Sequence, residues 1–195
     1  MNEEVLYLIS ALRDGNIDNR FKKNYEIKIG QKEKRWLTDV LKPIIEKNFN
    51  VNANVHGNLL RVTNKRAVEE MQRISGIKPW GWNTPEFVKN LPVSERIPYI
   101  RGFWDAEGGL PKCPEKCTKA EQIYISFHQK DKEPLVFIRN TLVEMGYRPT
   151  NITMCSKAHE FRLARRENIL RFCDEFGSWH PEKGERMKRL AKKLS

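Results

Sequence analysis

Long apolar runs are missing. No stretch of the 195 residues approaches the roughly 18 uninterrupted apolar residues of a membrane span, which excludes a bundle of transmembrane helices. Cysteine is sparse as well: 4 residues cannot build the cross-linked scaffold of a small secreted protein, so stability has to come from a core. Acidic residues are outnumbered, 25 Asp+Glu against 36 Lys+Arg, leaving a net charge of +11. The first residues, Met1-Asn2-Glu3-Glu4, are acidic where a secretory leader would be basic, and the expectation is a soluble, intracellular (cytoplasmic) protein. What is present argues against a disordered basic tail, because 39% hydrophobic and 10% aromatic residues provide material for a packed interior. Residues 181–195 carry six Lys/Arg and two Glu, which leaves +7 on the remaining 180, so the body of the protein is itself basic. A polyanionic partner follows, and nucleic acid is the commonest one.

The chain repeats itself. Tyr7-Leu8-Ile9-Ser10-Ala11-Leu12-Arg13-Asp14-Gly15 and Tyr99-Ile100-Arg101-Gly102-Phe103-Trp104-Asp105-Ala106-Glu107-Gly108 are both apolar, helix-like runs that end in acid and glycine. A strand pattern follows each: Tyr25, Ile27 and Ile29 alternate with Glu26 and Lys28, and Ile123, Ile125 and Phe127 alternate with Tyr124, Ser126 and His128. Both strands end in Gln-Lys, at Gln31-Lys32 and Gln129-Lys130. Helical periodicity then runs from Leu37 to Phe49 and from Leu135 to Met145, followed by paired short strands whose last members are 59–63 and 160–164. Basic residues come next, Lys65 and Arg166. Tyr7 to Gln31 is 24 residues against 30 for Tyr99 to Gln129, and Gln31 to Lys65 is 34 against 37 for Gln129 to Arg166, differences that loop insertions absorb. Each half therefore reads helix, hairpin, helix, hairpin, helix. The boundary falls near residue 90, giving halves 1–90 and 91–195, joined by a Pro-, Gly- and Trp-rich stretch from Ser75 to Val93. Neither half is large enough for a big core of its own, so the two are expected to pack as a pseudo-dimer within one chain.

Ser10, Ala11 and Gly102 place small side chains inside apolar helices, which permits close backbone approach. Two such helices lying parallel bring Asp14 and Glu107 together where helix C-termini carry partial negative charge. That juxtaposition is unfavourable by itself, and a divalent cation between the acids is the natural compensation. Oxygen-only ligation favours Mg²⁺, with Mn²⁺ able to substitute.

Residues 99–108 closely resemble the motif that names the LAGLIDADG homing endonucleases, and residues 7–15 resemble a variant of it. The resemblance implies an α+β fold of two pseudo-symmetric αββαββα halves, with antiparallel, saddle-shaped sheets packed through paired central motif helices. It implies a monomeric, site-specific endonuclease that cuts both strands of an asymmetric double-stranded DNA target. By the same resemblance, Asp14 and Glu107 hold metal, Gln31 and Gln129 orient water, and Lys65 and Arg166 complete each active centre. Gly102 to Glu107 is five positions whereas Ser10 to Asp14 is four, so the first motif is one residue short, with Asp18 as a substitute ligand. The saddle would lie in the DNA major groove, with Lys28, Lys34, Arg61, Tyr124, Ser126, His128, Lys132 and Arg162 facing bases and phosphates. The alternative within the same fold is a degenerate relative without chemistry, an RNA maturase or DNA-binding regulator.

Blander readings stand beside these. A glycine that ends a helix is an ordinary C-cap. Asp105 lies two positions before Glu107, points elsewhere on a helix and is read as structural. Cys113-Pro-Glu-Lys-Cys117 has the spacing of half a zinc site, but Cys155 and Cys173 are scattered, and free thiols or a local disulfide are preferred to zinc. Trp80 and Trp82 are read as linker packing. Residues 186–193 are read as a basic terminal helix.

Overall fold

The computed structural model describes residues 2–18, 25–75 and 83–195, and for residues 14 and 16–18 the backbone alone. Helix α1 (Glu3–Ala11) starts behind Asn2, whose side chain accepts a hydrogen bond from the Glu4 amide. Glu3 and Glu4 add negative charge at the positive end of the helix dipole. A 3₁₀ turn, Leu12–Asp14, leads into β1 (Gly15–Asp18). With β2 (Glu26–Gly30), β3 (Asn54–His56) and β4 (Leu59–Thr63) it forms an antiparallel sheet in the order β1-β2-β4-β3. A π-helical segment, Trp36–Leu41, runs into α2 (Lys42–Phe49) between the hairpins, and α3 (Lys65–Ser75) closes the half.

The second half repeats this path. After the short α4 (Glu86–Lys89) come α5 (Ile97–Glu107), β5 (Gly108–Gly109), β6 (Ile125–Gln129), α6 (Lys132–Glu144), β7 (Thr153–Cys155), β8 (Ala158–Leu163) and α7 (Arg166–Glu175). Its sheet has the order β5-β6-β8-β7, also antiparallel. The αββαββα repeat expected from the sequence is therefore present twice. α8 (Pro181–Leu194) is an addition at the end, longer than the basic helix read from residues 186–193. Trp80 and Trp82 lie outside the described residues.

Alternation in the strands explains why each sheet has one buried face. Ile27, Ile29, Leu60 and Val62 are fully buried under α1 and the π/α2 segment, together with Tyr7, Leu8, Trp36 and Leu37. Their outward neighbours Lys28 and Arg61 pair directly across β2 and β4. In the second half Phe127 stacks on Phe161 at 4.7 Å, and Trp104 and Phe172 pack edge to face nearby. Each such side chain contributes about 1.5–3 kcal/mol on leaving water.

The halves meet along α1 and α5. At Gly102 a Cβ would collide with the Tyr7 carbonyl and the Ser10 hydroxyl, so only glycine allows this helix crossing. Ser10 turns its hydroxyl back onto the Tyr7 carbonyl at 2.9 Å and is itself buried. Beside this crossing Leu6 and Ile9 of α1 pack with Tyr99 of α5 and Val88 of α4.

Candidate functional site

Strand pairing sets the two motif ends in equivalent places. Gly15 pairs with Ile29, and Gly108 with Phe127. Ile29 in turn pairs with Leu60, and Phe127 with Phe161. Asp14 therefore occupies in the first half the backbone position that Glu107 occupies in the second. The missing residue of the first motif is made up by helix type. α1 gives way to a 3₁₀ turn after Ala11, and one α step plus three 3₁₀ steps advance the chain about 7.5 Å, the rise of five α steps. The Asp14 and Asp18 side chains lie outside the described residues.

The same register makes Gln31 and Gln129 equivalent, and they share a local device. The side-chain carbonyl of each accepts the amide of the following lysine, Lys32 at 2.8 Å and Lys130 at 2.7 Å. That bond fixes which way the amide points. In the second half the Gln129 NH₂ donates to Glu107 Oε1 at 3.4 Å, so this glutamine and this acid are brought together.

Glu107 is only partly accessible. Burial pushes its carboxyl above the usual range, opposed in order by the charges of Arg13 and Lys183, the Gln129 hydrogen bond and the charge of Lys130. These cations were not anticipated at the centre from the sequence, although Lys130 lies in the Gln-Lys pair that ends the strand. Arg13 is buried, donates to the Tyr99 hydroxyl at 3.3 Å and lies 4.9 Å from the centroid of the Phe103 ring. Lys183 reaches in from α8 and donates to the carbonyls of Trp104, Asp105 and Gly108.

Lys65 and Arg166 are not at this centre. They follow Thr63 and Leu163, which pair at the opposite ends of β2 and β6 from Gln31 and Gln129. A five-residue strand puts these ends about 13 Å apart. Lys65 lies over the Tyr25 ring at 5.3 Å, and Arg166 donates to the carbonyls of Leu194 and Ser195 at the end of α8. Their equal spacing in the sequence reflects the strand repeat: both open the helix that closes a half.

Asp105 is structural, as its position before Glu107 implies. Its carboxylate is fully buried and accepts from Tyr7 Oη at 2.6 Å, Ser178 Oγ, the Trp179 amide at 2.9 Å and the His180 amide at 3.1 Å. Tyr7 in turn accepts from Trp36 Nε1 at 2.7 Å. This network ties α1, α5 and residues 178–180 together. Trp179 packs on Tyr7 and His180 on Trp36, so the segment before α8 fastens one half to the other.

Glu107 offers the hard oxygen donors that Mg²⁺ or Mn²⁺ prefers, and with the equivalent position of Asp14 the centre fits a divalent cation. Among the described residues no cluster of three or more His, Cys, Asp and Glu side chains forms a metal cage. All four cysteines are free thiols and Cys113 is exposed, so Cys113 and Cys117 are not joined by a disulfide.

The outward face carries most of the expected basic residues. Arg61 and Arg162 are equivalent by register, each one residue beyond the Leu60/Phe161 position. Arg162 lies over the Tyr124 ring at 4.5 Å and is held by Glu160, and Lys28 is paired with Glu26 at 2.7 Å. Lys34 and Lys132 are exposed at the starts of equivalent helical segments. Ser126 departs from the expectation. It is 1% exposed, because His128 Nε2 sits 2.8 Å from its hydroxyl and Gly109 packs against it.

Comparison with known proteins agrees with this geometry. Residues 94–177 match the LAGLIDADG-like domain. The homing endonuclease I-ApeI of Aeropyrum pernix is 28% identical over 95% of this chain and 86% of its own length. The structure of I-DmoI in complex with DNA and Mn superposes with a TM-score of 0.65 at 18% identity, covering 89% of this chain and 96% of that one. Its complex with DNA and Ca reaches 0.67 at 17% identity over 96% and 97%. The N-terminal LAGLIDADG domain of WhiA shares the fold at a TM-score of 0.55 and 13% identity, over 93% and 86%. No helix among the described residues is long and apolar enough to cross a membrane. Residues 94–177 thus match a LAGLIDADG-like domain, and the chain as a whole is similar to I-ApeI and has the fold of the I-DmoI structures.

Proposed function

We propose that this protein is a site-specific homing endonuclease that acts as a monomer on a long, asymmetric double-stranded DNA target and hydrolyses one phosphodiester in each strand. The observation that carries the reading is the equivalence of two acidic motif ends, Asp14 before Gly15 and Glu107 before Gly108, on helices packed against each other. The full-length likeness to I-ApeI supports the same activity. In this reading the halves 1–90 and 91–195 each present one sheet to the DNA.

Asp14 and Glu107 would hold Mg²⁺, which supplies Lewis-acid polarisation of the scissile phosphate and a more acidic water. Gln129, fixed by the Lys130 amide, directs its NH₂ toward the reacting oxygens, and Gln31 has the same arrangement in the first half. Arg13, Lys130 and Lys183 bring positive charge to a centre where negative charge accumulates on phosphate. On the saddle, Lys28, Arg61, Tyr124, His128 and Arg162 meet base edges and phosphates, with Lys34 and Lys132 on the backbone. The net charge of +11 draws the duplex in and makes affinity salt-dependent.

The test is a cleavage assay on the DNA that flanks the reading frame, fused across the insertion point. The expected result is a double-strand cut within that junction in Mg²⁺ or Mn²⁺ and none in chelator. A protein that shifts this DNA on a gel and never cuts it is a binder only, and the endonuclease reading falls.

A further inference from the structure

α8 begins beyond residue 177, where the match to the LAGLIDADG-like domain ends, and has no counterpart among the described residues of the first half. Its Lys183 nevertheless reaches into the centre. Nζ donates to the carbonyls of Trp104 at 3.0 Å, Asp105 at 2.7 Å and Gly108 at 2.7 Å. The first two belong to the last turn of α5, where the Trp104 carbonyl also accepts the Gly108 amide, and the third belongs to the first residue of β5. Glu107 lies between the residues so bound. A Cβ at Gly108 would collide with Trp104, so the chain must turn from helix to strand in very little space.

The ammonium is itself well held. It lies 5.4 Å from the centroid of the Trp104 ring, and the Lys183 amide donates to His180 Nδ1 at 3.3 Å. The preceding Ser178 hydroxyl and the Trp179 and His180 amides are fixed on Asp105. A cation at the C-terminal end of a helix also offsets the negative pole of its dipole, at the point where a carboxylate is presented.

We propose that Lys183 is a positioning residue for Glu107. By binding carbonyls on both sides of that residue, the ammonium fixes the helix-to-strand junction from which the carboxylate projects. The C-terminal extension is thus part of the working centre and more than a lid on the second core. This rests on the reading of Glu107 as a metal ligand in an endonuclease.

Three full-length variants test it: Lys183→Met, Lys183→Arg, and Lys188→Met as a control that removes an exposed charge from the same helix. In Lys183→Met, amide hydrogen exchange over residues 106–109, measured without metal, should accelerate about tenfold, while β6 and β8 stay protected. The single-turnover cutting constant in Mg²⁺ should fall about tenfold or more, the worth of one charge-assisted hydrogen bond. DNA affinity in Ca²⁺ should stay within about twofold, since Lys183 belongs to α8 and not to the strands whose many side chains meet the duplex. Lys183→Arg, which keeps charge and donors, should fall between Met and wild type in both readouts, and Lys188→Met should match wild type.

Wild-type exchange and cutting in Lys183→Met would overturn the proposal. So would an equal loss in Lys188→Met, or a loss of protection throughout α5 and β6, which would make Lys183 a support of the fold alone. A wild-type protein that cuts no DNA defeats the endonuclease reading separately, and the exchange data still judge whether Lys183 holds the junction.

Discussion

Replacing Asp105 with Asn should separate architecture from chemistry in this motif. Three donors meet Oδ2, namely the Tyr7 hydroxyl and the Trp179 and His180 amides, and the Ser178 hydroxyl meets Oδ1. An Asn side chain has one oxygen for them. With that oxygen in the place of Oδ2, the new NH₂ faces only Ser178, whose hydroxyl can rotate to accept. The three remaining bonds survive as neutral ones, each about 1 kcal/mol weaker than to a carboxylate. Burial pushes the Asp105 carboxyl above its usual range, so part of that loss is recovered when the buried charge disappears. The net cost should be about 2 kcal/mol. Urea unfolding at neutral pH, followed by circular dichroism, measures it, and a double-mutant cycle with Ser178→Ala should reveal coupling. The folded Asp105→Asn protein should still cut DNA. Unchanged stability together with abolished cutting would refute the reasoning and put Asp105 among the reacting groups.

Three further outcomes follow from the same contacts. Burial first, then the charge of Lys183, pulls the His180 imidazole down to about 4 from 6.5. The unfolded chain then holds the proton more tightly, so the contribution of His180 is complete above about pH 6.5 and is lost as pH falls toward 4, up to about 3 kcal/mol. His180→Gln should flatten that stretch of a stability-versus-pH curve, and an unchanged slope there would show that His180 is not its source. Gly102→Val should cost about 3 kcal/mol by forcing α1 and α5 apart, read as a lowered urea midpoint; a wild-type midpoint would contradict the tight crossing. Arg61→Ala and Arg162→Ala should each weaken DNA binding by about 1–3 kcal/mol and relax base preference at matching positions of the two half-sites, measured by binding to a library of single-base variants.

Much of this arrangement was legible in the sequence, because period-2 and period-3.6 patterning recur in the same order in both halves. The strand 59–63 coincides with β4, and α5 and α6 begin only two or three residues before their patterns. The acids, glycines and glutamines could be found because they punctuate elements. The short first motif looked like a defect in one dimension, since residue counts do not reveal that a 3₁₀ turn rises faster than an α turn. Lys65 and Arg166 were misplaced for a related reason. Equal spacing establishes equivalence between halves but not which end of a strand faces the centre, and antiparallel pairing sends both to the far end. Arg13 and Lys183 escaped because their roles depend on tertiary contacts, one beneath the other half and one from an added helix. Ser126 follows the outward alternation, yet His128, two residues along on the same face, covers it.

The most direct test of the central claim compares binding and cutting in the double variant Asp14→Asn, Glu107→Gln. Equilibrium binding to target DNA in Ca²⁺ should match wild type within about twofold, since neither residue belongs to a strand of the sheets that meet the duplex. Single-turnover cutting of both strands in Mg²⁺ should vanish. Cutting at the wild-type rate by that variant would contradict the account, because two equivalent acids at the tips of paired helices would then have no part in the reaction.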